Sequence, residues 1–269
     1  MGEAIVITSG KGGVGKTTTS ANLGTALALQ GKKVCLIDTD IGLRNLDVVL
    51  GLENRIIYDL VDVVQGRCKL HQAIVKDKRF EDKLFLLPAA QTSDKTAVSP
   101  EQMKKLVNEM KPEYDYILID CPAGIEQGYK NAVAGADRAI VVTTPEISAV
   151  RDADRIIGLL EKEENIEPPK LIINRIRSQM MKDGDVLDVD EIAQHLSIDL
   201  IGIVQDDVDV IRSSNQGEPI ALDPNSKASI AYRNIARRIL GESVPLQSLD
   251  DEKTGVFAKL KKLFGVGAK

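Results

Sequence analysis

The chain has 269 residues, of which 43% are hydrophobic and 28% are charged, and its formal net charge is −5. This composition is typical of a globular protein and excludes a disordered or collagen-like chain. Its apolar runs are too short to cross a bilayer, and no basic segment followed by an apolar stretch indicates a signal peptide, so we expect a cytoplasmic protein.

The first predicted elements are a buried strand at residues 4–8 and a helix at residues 17–30, joined by a glycine-rich loop. The loop has the sequence Gly10-Lys11-Gly12-Gly13-Val14-Gly15-Lys16-Thr17. It fills every position of a phosphate-binding P-loop, which requires glycine, four residues and then Gly-Lys-Ser/Thr. Glycines let backbone N–H groups approach phosphate oxygens at the helix N-terminus. The pattern predicts that Lys16 contacts the β- and γ-phosphates and that the Thr17 hydroxyl binds Mg²⁺.

Two later strands end in acidic residues. A strand at residues 34–37 is followed by Asp38 and Asp40, and a strand at residues 116–119 is followed by Asp120. An acid that closes an apolar strand is the usual form of the Walker B aspartate near Mg²⁺. Because parallel strands present their carboxyl ends at one edge of a sheet, we expect these three acids to lie near the P-loop.

Strand and helix patterns alternate along the rest of the chain. Strands are predicted at residues 84–87, 139–143, 171–173 and 200–204, and helices at residues 100–110, 148–163, 189–196 and 226–240. This alternation predicts an α/β fold with a doubly wound, mostly parallel sheet and helices on both faces. We expect a single P-loop domain at residues 1–247, because no repeat or low-complexity linker divides it.

The C-terminal end differs from the body in charge and pattern. Residues 253–269 contain five lysines and no acid, which leaves residues 1–252 with a formal charge of −10. A polar segment at residues 248–255 is predicted to be a flexible tether, and residues 256–265 to form an amphipathic helix. At about 100° per residue, the apolar side chains share an arc of about 120° and the lysines lie outside it.

This helix is predicted to bind the membrane, since a basic amphipathic helix of this kind lies in the bilayer interface. The residues assigned to membrane contact are Val256, Phe257, Leu260, Lys261, Lys262, Leu263 and Phe264. The alternative is a terminal helix that docks on the protein's own core.

Residues 11–18 resemble the deviant Walker A motif of the ParA/MinD family of dimeric ATPases, which carries a second lysine early in the P-loop. Further segments at residues 38–47, 122–126 and 215–219 resemble the branch of that family that positions the bacterial division site. The resemblance implies ATP and Mg²⁺ as cofactors. It also implies that Lys11 reaches across a dimer interface to phosphates held by the partner subunit.

The same resemblance implies roles for individual residues. Lys11, Lys16 and Asp40 would be catalytic, with Asp40 orienting the attacking water. Thr17 would bind Mg²⁺ directly, and Asp38 and Asp120 through water. The nucleotide would contact Lys11, Gly12, Gly13, Val14, Gly15, Lys16, Thr17, Thr18, Asn174 and Arg175, of which Asn174 and Arg175 would form the adenine corner.

The implied function is an ATPase that dimerises with ATP, binds the inner face of the cell membrane peripherally and recruits inhibitors of cell division to place the septum. Implied partners are a second copy of the chain, an anionic membrane surface, the septum inhibitor MinC, and a topological factor, either MinE or a polar adaptor. No nucleic-acid partner is expected.

Two alternatives remain at this point. A ParA-like ATPase that partitions DNA or plasmids would require a basic surface, whereas residues 1–252 are acidic. A reductase like the nitrogenase iron protein would require two cysteines per chain at a cluster between subunits. Cys121 follows Asp120, and Cys35 and Cys68 do not match that placement.

Overall fold

The computed structural model describes residues 1–247 and residue 249. The predicted amphipathic helix at residues 256–265 lies outside the described residues, as does the predicted tether at residues 248–255 except for Leu249. The strands are β1 (Glu3–Thr8), β2 (Val34–Asp38), β3 (Val75–Lys76), β4 (Leu84–Leu87), β5 (Tyr116–Asp120), β6 (Arg138–Thr143), β7 (Lys170–Ile176) and β8 (Asp199–Gln205). The helices are α1 (Lys16–Leu29), α2 (Leu46–Leu50), α3 (Leu60–Val64), α4 (Leu70–Ala73), α5 (Pro100–Met110), α6 (Gln127–Ala134), α7 (Ile147–Leu160), α8 (Ser178–Lys182), α9 (Val189–Leu196), α10 (Val208–Asn215) and α11 (Lys227–Ile239).

The strands form one sheet in the order β3-β4-β2-β5-β1-β6-β7-β8. Every neighbouring pair is parallel except the edge pair of β3 and β4. The predicted doubly wound, mostly parallel sheet is therefore confirmed. Strand β3 was not predicted, since its two residues are too short to form an alternating pattern.

Each face of the sheet is covered by helices over its own apolar core. In β1, Ala4 and Val6 belong to one core and Ile5 and Ile7 to the other, because successive side chains of a strand point to opposite faces. Helices α1, α2 and α11 contribute to one core, and α3–α7 with α9 contribute to the other. Burial on both faces explains why these strands read as continuous apolar runs.

The strand register brings the two strand-end acids together. β5 lies between β1 and β2, with Asp120 opposite Ile7 on one side and Asp38 on the other. Asp38 and Asp120 are therefore neighbours at the carboxyl edge, next to the point where β1 enters the P-loop. Within residues 1–247 and 249, no helix has the length and apolar character needed to cross a bilayer.

Candidate functional site

The P-loop joins the end of β1 to the first turn of α1. Gly13 and Gly15 have φ angles of 80° and 99°, in the left-handed region that favours glycine. No side chain caps the N-terminus of α1. The N–H groups of its first turn are therefore available to an anion, and the helix dipole favours negative charge at this point.

Gly15 is required because a neighbouring side chain approaches it closely. A Cβ added to Gly15 would lie 2.3 Å from Nδ2 of Asn174, which is shorter than any real contact. Asn174 is buried, and its Nδ2 donates a 2.8 Å hydrogen bond to the carbonyl oxygen of Val14. Asn174 lies in the part of β7 where the register with β8 is irregular, between Ile173 and Ile176.

Lys16 occupies the interior of the loop. Its side chain is 7% exposed, and its ammonium donates a 2.9 Å hydrogen bond to Oγ of Ser9. Burial lowers the pKa of Lys16, and the negative charge of Asp120 counteracts this effect. A desolvated ammonium at the base of a ring of backbone N–H groups favours a multiply charged anion.

Asp120 connects the end of β5 to the first turns of α1. Its Oδ2 accepts a 2.8 Å hydrogen bond from Thr17, and its Oδ1 accepts a 2.7 Å hydrogen bond from Ser20. Burial raises the pKa of Asp120, and these two hydrogen bonds and the charge of Lys16 oppose the rise. Ser20, one helical turn after Lys16, was not predicted from the sequence. The helical spacing of Lys16 and Ser20 was the pattern that could have indicated it.

Asp38 holds the loop that follows β2. Its carboxylate accepts hydrogen bonds from the backbone N–H groups of Asp40 at 2.9 Å, Asn45 at 3.2 Å and Leu46 at 3.1 Å. Burial and the nearby charge of Asp120 raise the pKa of Asp38, while the N–H groups of Asp40 and Leu46 lower it. The two neighbouring carboxylates disfavour a second negative charge, so this corner favours a cation.

Asp40 lies half-buried at the mouth of the site. Burial raises its pKa, and the charges of Lys95 and Lys16 lower it. Asp40 and Lys95 line a small recess together with residues 122, 123 and 126. Sequence analysis missed Lys95, because it lies on an irregular segment between β4 and α5 with no motif around it.

The residues at this corner fit a magnesium ion bound with a nucleotide. The described residues contain no group of three or more His, Cys, Asp or Glu side chains that could hold a metal alone. Mg²⁺ usually keeps several waters and takes one or two protein ligands together with phosphate oxygens. The Thr17 hydroxyl beside Asp120, with Asp38 on the next strand, matches that donor set.

Lys11 lies outside the interior of the loop. Its side chain is exposed, and Nζ donates a 3.0 Å hydrogen bond to Oγ of Ser148 in the first turn of α7. The two lysines of the loop therefore differ in how exposed their side chains are. Lys16 is buried against Ser9 and Asp120, whereas Lys11 extends across the surface.

A cavity of about 360 Å³ adjoins the P-loop on the side opposite the carboxylates. Thr18, Asn174 and Arg175 line it, and so do residues 204–208, which run from the end of β8 into α10, and residues 210, 211, 214 and 215 of α10. These residues of β8 and α10 were not predicted from the sequence. An acidic pair at a strand end, Asp206 and Asp207, was the available signal. The structure therefore brings the predicted adenine-corner residues to a pocket next to the phosphate loop.

Comparisons with known proteins agree with this site. Residues 5–220 match the model of the CobQ/CobB/MinD/ParA nucleotide binding domain. The septum site-determining protein MinD of Bacillus subtilis is 78% identical over 266 residues, which cover 99% of each chain.

Two solved structures are also similar. In a MinC:MinD cell division protein complex from Aquifex aeolicus, the matching chain is 52% identical, with a TM-score of 0.84 over 91% of this chain and 98% of that chain. The MinD of Pyrococcus horikoshii complexed with Mg-ADP is 31% identical, with a TM-score of 0.80 over 89% and 96% of the two chains.

Proposed function

This chain belongs to the ParA/MinD family of P-loop nucleotide-binding proteins, in its septum site-determining branch, and from that premise we propose a mechanism. The chain binds ATP with Mg²⁺, dimerises around it, and hydrolyses it to ADP and phosphate. The dimer binds the inner face of the cell membrane peripherally, and it recruits an inhibitor of cell division. Hydrolysis returns the protein to the monomer.

Nucleotide binding depends on the P-loop and on the cavity beside it. The N–H groups around Gly13 and Gly15 and the buried Lys16 ammonium hold the β- and γ-phosphates. Thr17 would hold Mg²⁺, with Asp38 and Asp120 acting through water, and the bound ion would supply positive charge to neutralise the phosphates. The base enters the cavity lined by Asn174 and Arg175. The Mg-ADP held by the Pyrococcus horikoshii relative supports an adenine nucleotide.

Asp40 orients the water that attacks the γ-phosphate. Its carboxylate lies at the mouth of the site, where burial raises its pKa and the charges of Lys95 and Lys16 oppose that rise. A positioned carboxylate is the usual group for this step, because phosphoryl transfer depends on position and electrostatics more than on covalent chemistry.

The observation that carries the proposal is the placement of Lys11. Its ammonium is exposed and donates a hydrogen bond to a serine hydroxyl on α7, so it is available to phosphates held by a second subunit. A lysine supplied by the partner would offset charge on the transferring phosphoryl group. Hydrolysis would then require the dimer, and the monomer would be nearly inactive.

The membrane anchor is the segment at residues 256–264. One copy should bind weakly, because ordering a short helix offsets much of the free energy of burying its apolar face. Two copies in one dimer raise the avidity about 10²- to 10⁴-fold without any new contact. Control of dimerisation by ATP thus controls membrane binding.

The proposed partners follow from the relatives. The MinC:MinD complex of Aquifex aeolicus supports the septum inhibitor MinC as the recruited protein. A topological factor, MinE or a polar adaptor, would stimulate turnover and set where the protein accumulates. The ParA-like alternative is less well supported, since the body of the chain carries a formal −10. Cys35 and Cys121 are buried, which disfavours a cluster shared between subunits.

Vesicle sedimentation tests the proposal. The full-length chain, Lys11→Ala and a truncation after Lys253 are each mixed with anionic vesicles in ATP, ADP or no nucleotide, and the dimer fraction is measured by light scattering. We expect sedimentation of the full-length chain only with ATP, loss of dimerisation in Lys11→Ala, and dimerisation without sedimentation in the truncation. Equal sedimentation of the nucleotide-free monomer would disprove the switch, and ATP-dependent sedimentation with plasmid DNA alone would favour the ParA-like alternative.

A further inference from the structure

A second cavity lies away from the nucleotide, between α7 and α9. We propose that the C-terminal segment of this same chain, residues 256–264, docks its apolar face in that groove in the nucleotide-free monomer. Dimerisation with ATP then releases the segment to the membrane. The inference rests on the proposed function of the segment as a membrane anchor, and it adds a site on the body of the protein that restrains the anchor.

The groove has a volume of about 490 Å³ and an apolar floor. Ile147 and Val150 of α7 and Leu187 before α9 line it, with Arg151 of α7 and Glu191, Gln194 and His195 of α9 at its rim. Ile147 is 57% exposed, although it is a large apolar side chain in the first turn of a helix. An apolar groove of this kind favours the apolar face of a short helix.

The path of the chain leads to this groove. After α11, the guanidinium of Arg238 donates hydrogen bonds to the carbonyl oxygens of Val244 and Pro245, and to that of Ile201 in β8. The chain therefore follows the edge strand β8 away from α11.

The last described residue lies on the other face of the sheet. The carbonyl oxygen of Leu249 accepts a 3.0 Å hydrogen bond from Oγ of Ser178 in α8, and its side chain packs against the core of α7 and α9. Leu187, which lines the groove, packs against the same core. The chain thus arrives beside the groove rather than at the α11 face.

The length of the remaining chain is sufficient. The six residues between Leu249 and Val256 let the chain span at most about 25 Å, and a helix over residues 256–264 would be about 13 Å long. A helix of that length matches two to three turns of α7 or α9 laid alongside it.

The α9 side of the groove is complementary in charge to the segment, and Arg151 contributes one positive charge on the α7 side. Residues 183–191, which lead into α9, contain five acids and no basic residue. All five acids are exposed. The C-terminal segment carries Lys259, Lys261 and Lys262 beside its apolar face. The lysines that favour an anionic membrane would therefore also favour this rim, so that the two surfaces compete for one segment.

The groove adjoins the dimerisation lysine. Ile147 in its floor precedes Ser148, which accepts the hydrogen bond from Lys11. Movement of Lys11 toward a partner's phosphates removes that bond from the first turn of α7, at the end of the groove. Dimerisation would in this way weaken the docked state and raise membrane avidity together.

Cross-linking in the full-length chain tests the docked state. In a Cys68→Ser background, Gln194→Cys is paired with Lys259→Cys, at the border of the apolar face, and treated with a short bismaleimide. Ile230→Cys on α11, paired with the same Lys259→Cys, is the matched control. We expect an intramolecular cross-link with Gln194→Cys without nucleotide, its loss with ATP, and none with Ile230→Cys. Equal cross-linking of both pairs, or cross-links only between differently tagged chains, would overturn the proposal.

A matched charge pair gives a second, independent readout. Gln194→Arg should repel the lysines and raise nucleotide-free vesicle sedimentation about two- to fivefold, whereas Gln194→Glu should leave it at or below the wild-type level. Asn108→Arg on α5 adds the same charge at a distance and should have no such effect. Equal sedimentation of the two Gln194 variants would contradict docking. If the cross-link forms but no variant sediments with ATP, the membrane function fails while the docked state stands.

Discussion

The two sides of the P-loop are built differently. On the phosphate side, charged groups are buried: Lys16, Asp38 and Asp120 each make short hydrogen bonds to neighbouring residues, Lys16 to Ser9, Asp120 to Thr17 and Asp38 to the N–H of Asp40. On the base side, one buried amide, Asn174, contacts the loop, and the rest of the cavity is lined by buried, half-buried and exposed residues together. Electrostatic interactions therefore dominate on the phosphate side, whereas the shape of the cavity defines the base side.

This difference has a consequence for stability. Burial of two adjacent carboxylates costs free energy in the absence of a cation, and it raises the pKa of both groups. The base side carries a backbone cost instead, because Arg175 has a left-handed φ of 56°. The effects of substitutions on the two sides should consequently be detected by different measurements.

The largest effect is expected on the phosphate side, in the rate of hydrolysis. Asp40→Asn removes the carboxylate that orients water and should lower kcat about 10²- to 10³-fold, with nucleotide affinity changed less than about threefold. Single-turnover phosphate release and fluorescent-nucleotide titration measure the two effects. Asp94→Asn, an exposed acid on the segment after β4, is the control. An unchanged kcat in Asp40→Asn would show that another group positions the water.

The boundary between the two sides is tested by a matched pair of glycines. Gly15→Ala forces a Cβ against Asn174 at a φ of 99°, and should destabilise the chain by about 2–4 kcal/mol and abolish nucleotide binding. Gly13 has a φ of 80°, but a Cβ added there would have no atom within 4 Å. Gly13→Ala should therefore lose only the backbone cost of about 1–2 kcal/mol. Urea unfolding measures both. Equal losses would mean that the contact with Asn174 is unimportant.

The buried charge itself is tested by Asp120→Asn. The pKa of Asp120 is raised in the folded chain, so the wild type loses stability as pH rises through the range between the ordinary and the raised pKa. The variant has no such charge, so its advantage in free energy of unfolding should grow from near zero at about pH 4 to about 1–2 kcal/mol at about pH 7. Nucleotide-free urea unfolding across pH measures this.

The control for that experiment is Asp154→Asn, an exposed acid on α7, which should leave the pH profile unchanged. If the difference in free energy of unfolding between Asp120→Asn and the wild type were constant with pH, it would be due to packing rather than to the carboxylate charge.

The smallest effect is expected on the base side. Arg175→Gly relieves the left-handed strain at an exposed position and should raise the free energy of unfolding by about 0.5 kcal/mol. Arg175→Asn, which tolerates the same conformation, should lie close to the wild type. Thermal unfolding measures both. A clear destabilisation by either would show that the arginine side chain itself supports the corner.

The difference between the two sides also explains how far sequence analysis could go. The phosphate side was identified because its residues lie within short motifs: a glycine-rich loop, and acids that close apolar strands. Ser20 and Lys95 were missed because one is a common helical residue and the other lies on a segment without regular pattern. The base cavity draws on β7, β8 and α10, and no local pattern links Asn174 to residues 204–215.

The sequence by itself determined the alternation of strands and helices, the doubly wound class of sheet and the P-loop, because periodicity and glycine placement act over a few residues. Only the tertiary structure decided that Asp38 stands opposite Asp120, that Asn174 closes on Gly15, and that Leu249 lies beside α8. These contacts depend on strand order and register, which long-range packing sets and which no local stretch of chain encodes.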